Sequence, residues 1–230
     1  GLAHVVESQG LGVPQIIAHF MIDRFSSPEA IASIQPADSV ERMCDLALGL
    51  PDCSTLVVPI GPFSVIGDQW NSSAYRETWD GFVEVISETL HAVEAASLRL
   101  SLEIQPGSLL AGSCGFLSLC SDLGTRQIGY NFDTGHAWAM KECLELIPAR
   151  LSDSVSGTHL CDNFGGENLS LQPGTGSIDW KSLLASLLRS GYAGPLDVEI
   201  FCESEQVSER YRAAREFLEH IVESVGQPGE

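Results

Sequence analysis

QIGYNFDTGHAWAM, residues 127–140, passes from an apolar, strand-like run (Gln127-Ile128-Gly129-Tyr130) into Asp133, Thr134, Gly135 and His136, then into residues of helical character. A parallel strand that turns into a helix has this composition. On the segment alone two readings of its polar residues stay open. Asp133 caps the helix and His136 is a surface histidine, or the acid and the imidazole belong to a site at the strand end.

Working outward, the chain alternates strand and helix signals. Residues 13–20 (VPQIIAHF) and 55–60 (TLVVPI) are apolar runs with strand character, and between them Val40, Met43, Cys44 and Ala47 recur at helical spacing. Ser72 or Ser73 is placed to cap a long helix whose buried stripe is Phe82 with Val83, Ile86, Leu90 and Val93. Residues 98–104 (LRLSLEI) alternate like a strand, 109–123 read as a helix, 127–132 as a strand and 137–151 as a helix. A strand at 155–160 (VSGTHL) and a brief extended piece at 169–172 follow. Asp179 caps a helix over 180–190 with Leu183, Leu184, Leu187 and Leu188 facing inward and Gly191 as its stop. Residues 195–201 (PLDVEIF) are the last strand, and 208–225 form an amphipathic closing helix.

Repetition of this kind makes a parallel sheet covered by helices. The seven strands so read, in 230 residues, approach the eight strands and about 250 residues of a (β/α)8 barrel. A doubly wound open sheet is the rival, but no glycine-rich phosphate loop follows the first strand. The expectation is one TIM-barrel domain over residues 1–230. Residues 1–10 read as the tail of a first helix, so the barrel is expected to be truncated at its first strand, which gives a scaffold reading some weight because an open barrel exposes sheet edges.

Composition narrows the function. The net charge is −19, from 31 acids against 12 Lys and Arg. Binding to nucleic acid or an anionic membrane needs a basic face, which this chain has little to build from. Seven cysteines without a CxxC pair read as reduced, small buried hydrophobes of a cytoplasmic protein. The longest uncharged run, residues 104–121, carries Gln105, Pro106 and several Gly and Ser, too polar for a membrane span.

In a barrel the C-terminal strand ends converge on one mouth, where the chemistry sits. The polar residues at those ends are His19, Glu103, Asp133 with His136, His159 with Asp162, and Glu199. Glu103 and Glu199 interrupt apolar strands (SLEIQ, DVEIF), and a lone buried carboxylate costs several kcal/mol or shifts its pKa. Basic residues are few, so a metal ion is the economical partner for three carboxylates and an imidazole.

The series LEIQP, NFDTGHA, THLCDN, PGTGSIDW and GYAGPLDVEIF is similar, in order and spacing, to the xylose isomerase-like barrel superfamily. The resemblance covers residues 98–201 well. It implies that Glu103, Asp133, His159 and Glu199 are the ligands of one divalent ion. Mn²⁺ is favoured, and Mg²⁺, Co²⁺ or Zn²⁺ suit the same donors. It further implies Glu103 and Glu199 as the catalytic acid/base pair, with His136, and alongside it His19 and Asp162, at the substrate. The activity implied is a sugar isomerase or epimerase acting on a keto-sugar, polyol or hydroxy-acid by proton transfer through a metal-stabilised enediolate. The alternatives are an inosose-type dehydratase on the same site and a degenerate barrel kept as a binding or scaffold protein. Family members often pair, so a homodimer stays open. The endonuclease IV branch does not fit, because Asn168, Ser170 and Pro59 stand where its further metal ligands would be. Leu109 and Gly165 stand where ketose 3-epimerases carry a substrate-binding Glu and Arg, so a free ketohexose is not secured.

Overall fold

A computed structural model describes residues 1–34, 37–65 and 70–226, and the chain divides into two compact units, Gly1–Gly129 and Tyr130–Glu230. In the first, helix α1 (Leu2–Ser8) precedes strand β1 (Gln15–Ile17). A 3-10 helix, His19–Phe25, and helices α2 (Pro28–Ala32) and α3 (Ala37–Leu48) lead to β2 (Thr55–Ile60). Helix α4 (Ser72–Ala95), β3 (Arg99–Ile104) and α5 (Ser113–Leu123) complete the unit. Every pairing is parallel and in chain order, with Gln15 opposite Thr55, and Thr55 and Pro59 opposite Arg99 and Glu103. All six residues of β2 are buried. That is the environment in which a parallel strand reads as an unbroken apolar run rather than an alternating one.

The α4 stripe lies close to where its periodicity puts it: Phe82, Ile86, Leu90 and Val93 are buried, while Val83 is only half-buried and Val85 is buried in its place. Two threonines share that buried side because each returns its hydroxyl to the helix. Thr78 Oγ1 donates to the Ala74 carbonyl at 2.9 Å and Thr89 Oγ1 to that of Val85 at 2.8 Å. The cap is Asn71, not the serines after it. Its side chain accepts from Ser73 N at 2.9 Å and Ala74 N at 3.2 Å. Helix α5 starts later than the apolar pattern, because Ala111 and Gly112 hold positive φ angles of 52° and 114° and a helix cannot run through them.

The second unit opens at Tyr130, one residue into β4 (Gly129–Asp133), followed by α6 (Thr134–Ala139), α7 (Leu146–Leu151), β5 (Val155–His159), α8 (Trp180–Arg189) and α9 (Val207–Gly226). Strands β4 and β5 are parallel and bring Asp133 opposite His159. The single helix expected over 137–151 is two. Lys141 adopts a left-handed φ of 64°, and Pro148 falls in the first turn of α7, where its missing N–H costs no bond; inside a continuous helix it would.

The strand expected over 195–201 is reduced to one parallel bridge, Leu160 with Val198, and the piece over 169–172 to one antiparallel bridge, Asp162 with Leu171. Side chains take backbone groups that a longer ladder needs. Asp197 N donates to Thr158 Oγ1 at 3.0 Å and Ile200 N to the Tyr211 hydroxyl at 3.2 Å. The described residues thus hold five strands where the sequence suggests seven. Within each unit the strands keep chain order with helices between them, the pattern of a barrel wall rather than of a doubly wound sheet. Among the described residues no helix is long and apolar enough to cross a membrane.

Asn71→Ala removes the side-chain acceptor at the start of the longest helix. Urea denaturation is expected to show a loss of about 1 kcal/mol with an unchanged m-value.

Candidate metal centre

The end of β4 does two jobs with one residue. Alternation puts Asn131 and Asp133 on one face of the strand and Tyr130 and Phe132 on the other. Asp133, 2% exposed, is both the last strand residue and the N-cap of α6, where its Oδ1 accepts from the His136 backbone N–H at 2.7 Å. Its Oδ2 lies 3.8 Å from Nε2 of the His136 ring. The capping reading of Asp133 therefore holds, through Oδ1 alone. His136 is not a free surface histidine. Its ring is mostly buried and its Nδ1 stands 3.2 Å from Asn168 Nδ2.

His159 ends β5 with its side chain buried. Its Nδ1 is 3.1 Å from Asn131 Nδ2 and 3.7 Å from Glu199 Oε2. Glu199 is fixed beside it by backbone: Leu160 N donates to the Asp197 carbonyl at 2.7 Å and Glu199 N to that of Leu160 at 3.2 Å. The turn after β4 is tied to the segment after β5 through Thr134, whose Oγ1 donates to the Cys161 carbonyl at 2.7 Å and accepts from Cys161 N at 3.0 Å. The Cys161 thiol is pushed far up by burial first and then by the charges of Asp133 and Glu199, so it stays a protonated, inert group. Burial also raises the Asp197 carboxyl, against the opposing pull of His159.

Asp133, His159 and Glu199 each present a ligand atom, and these atoms lie within 4.8 Å of one another. Donors that share an ion through bonds of about 2.1 Å stand no more than about 4.2 Å apart. Donors at right angles on the ion stand about 3 Å apart, so closing the set on one cation asks for side-chain shifts of about 1 Å each at most. Two carboxylate oxygens and an imidazole nitrogen are the donors that Mn²⁺, Mg²⁺, Co²⁺ and Zn²⁺ accept, and two acids brought together without a cation repel. The residues fit a divalent ion.

The other expected residues fall as follows. Glu103 is 5% exposed near the C-terminal end of β3, in register with Pro59. His19 is exposed as the first residue of the 3-10 helix that follows β1. Asp162, expected at the substrate, is turned into the protein instead. It is fully buried, and its Oδ1 accepts from Asn163 N at 2.9 Å and Ile178 N at 3.2 Å. Its Oδ2 accepts from Gly174 N at 3.0 Å and Trp180 Nε1 at 2.8 Å. Four donors occupy the carboxylate, so Asp162 organises the loop from 163 to 178 rather than meeting a ligand. Gly176 has no Cβ because one would collide with Asp162 Oδ1. Sequence reasoning missed Asn131 and Asn168 as partners of the two histidines. Asn131 carried a signal, two residues before Asp133 on the same strand face. Asn168 carried one only through the resemblance, which sets it where the endonuclease IV branch has a metal ligand, and nothing tied it to His136.

The family model described as xylose isomerase-like TIM barrel matches residues 3–221. An uncharacterized protein of Methanocaldococcus jannaschii is 25% identical over 194 residues, which are 82% of this chain and 65% of that relative. The chain thus spans just under two thirds of the relative's length. A solved D-tagatose 3-epimerase-like protein superimposes with a TM-score of 0.74 at 22% identity, over 97% of this chain and 83% of its own. The 3-keto-D-glucoside 4-epimerase of E. coli does so with a TM-score of 0.76 at 14% identity, over 95% of this chain and 83% of its own. At such identities these likenesses carry the fold, and the fold is the TIM barrel expected from the strand and helix alternation.

Asp162→Asn sets an amide N–H against backbone or indole donors in a dry site. A loss of about 3 kcal/mol is expected in chemical denaturation, with hydrogen exchange accelerated across residues 163–178 and much less in α4.

Proposed function

The chain belongs to the xylose isomerase-like TIM barrel family, and from that premise we propose that it is a divalent-metal-dependent sugar isomerase or epimerase. The observation that carries the reading is the convergence of Asp133, His159 and Glu199 at the ends of β4, β5 and the segment beside β5. Support also comes from similar structures that bear epimerase names. Glu103, a buried carboxylate near the end of β3, is proposed as the fourth ligand, with Mn²⁺ the favoured ion. When bound, the cation supplies a Lewis acid that polarises a substrate carbonyl and stabilises negative charge on the neighbouring oxygen.

The chain's own groups would handle the proton. Glu199, with its side chain one third exposed, can reach a substrate while its backbone stays fixed to Leu160. A carboxylate has two oxygens, so it can bind a cation through one and take a proton from carbon with the other. Glu199 and Glu103 are the proposed base and acid, one removing the proton beside the carbonyl and the other returning it. Return to the opposite face of the same carbon epimerises, and return to the adjacent carbon converts ketose to aldose. His136, partly exposed, is proposed to hydrogen-bond a substrate oxygen, and His19, exposed after β1, to line the substrate side of the site. The substrate class is a small keto-sugar, polyol or hydroxy-acid.

Proton transfer is read directly by deuterium uptake at the carbon beside the carbonyl when a panel of keto-sugars is incubated with the metal-loaded protein in D₂O. Glu199→Gln and Glu103→Gln are each expected to cut that exchange by about 10²-fold or more while leaving the circular dichroism spectrum intact. A variant that keeps most of the exchange removes its Glu from the mechanism.

A further inference from the structure

Asn168 lies in the loop after β5, thirty-two residues from His136, and joins that ring with a defined polarity. The polarity follows from its other contacts. Ser170 N, which can only donate, lies 3.0 Å from Asn168 Oδ1, and the Cys161 thiol lies 3.6 Å from the same oxygen. A flipped amide would set its NH₂ against the Ser170 N–H. The oxygen is therefore fixed on that side and the NH₂ faces His136 Nδ1 at 3.2 Å. An amide nitrogen has no lone pair to offer, so Nδ1 must accept, and the ring proton sits on Nε2.

Close packing holds the arrangement. A Cβ at Gly135 would collide with Asn168 Oδ1 and with Cys161 Sγ, so the amide rests directly on the backbone of the turn that carries His136. The same turn is held from its other side by Asn163, whose Nδ2 donates to the Gly135 carbonyl at 2.9 Å. The His136 backbone N–H is engaged by Asp133, so backbone and ring are both set.

We propose that Asn168 is a positioning residue that fixes His136 as its Nε2-protonated tautomer, so that the ring turns an N–H rather than a bare nitrogen toward Asp133 Oδ2, 3.8 Å away, and toward an oxygen of a substrate bound beside it. The last part rests on the function proposed above; the tautomer does not. An N–H at this point favours a ligand whose nearby atom is a hydroxyl, carbonyl or carboxylate oxygen and disfavours one that presents a cation.

The test is a long-range ¹H–¹⁵N spectrum of the histidine-labelled protein, with His136 assigned through His136→Gln. The wild-type protein is expected to show His136 protonated at Nε2 with a bare Nδ1. Asn168→Asp replaces the donor by an acceptor and is expected to move the proton to Nδ1, and Asn168→Ala to give a mixture of tautomers. A wild-type ring protonated at Nδ1, or spectra unchanged in both variants, would overturn the proposal. On a keto-sugar that supports proton exchange, Asn168→Ala is expected to lower kcat on the order of 10-fold with KM changed far less. The predicted spectra in a protein that exchanges no proton on any keto-sugar would uphold the positioning role and remove the isomerase reading, so the two fail separately.

Discussion

Charge held out of water is the constraint on which the second unit turns. Asp133 is almost wholly buried, and the donor atoms of His159 and Glu199 lie within 4.8 Å of its own and of each other. Acids in such a place need protons, hydrogen bonds or a cation. Asp133 accepts from the His136 N–H and lies near the Cys161 thiol and the His136 ring, and Glu199 and His159 face one another at 3.7 Å. A divalent cation would balance two such carboxylates with donors already in place, so the proposed metal rests on geometry as well as on residue type.

The surroundings serve to hold those donors still. Thr134 ties the turn after β4 to Cys161, while Asn131 and Asn168 each meet one histidine ring. Asp162 gathers four donors from a loop that would otherwise have little to hold it, and that loop carries Asn168. A buried carboxylate adjacent in sequence to the site thus acts at one remove, through the loop it organises. Partners of this kind set the orientation of the residues that do the chemistry.

What could be read from the chain depended on whether the deciding interaction was local. Strand β2, the α4 stripe and the Asp179 cap follow from period, propensity and a side chain two or three residues away, and the structure has each of them. Asp133 was legible as either a cap or a site residue because both are local, and it caps α6 while lying in the donor cluster. The break between α6 and α7 had a local signal in Pro148 that the apolar pattern masked. The last expected strand misled for a different reason: residues 195–201 alternate like a strand, but Thr158, thirty-nine residues before Asp197, and Tyr211, eleven after Ile200, take up backbone N–H groups there. Asp162 looked like a pocket acid since a carboxylate after a strand carries no mark of the four donors awaiting it. The pairing of Asn168 with His136 left no trace because it is set by loop packing.

The account stands or falls on a single cation held by side chains from separated parts of the chain. Calorimetric titration of the chelator-stripped protein with Mn²⁺ asks the question most directly. One ion per chain is predicted, with the binding heat abolished in Asp133→Asn and in His159→Gln at unchanged fold. Absence of saturable binding, or binding that survives both substitutions, would contradict it.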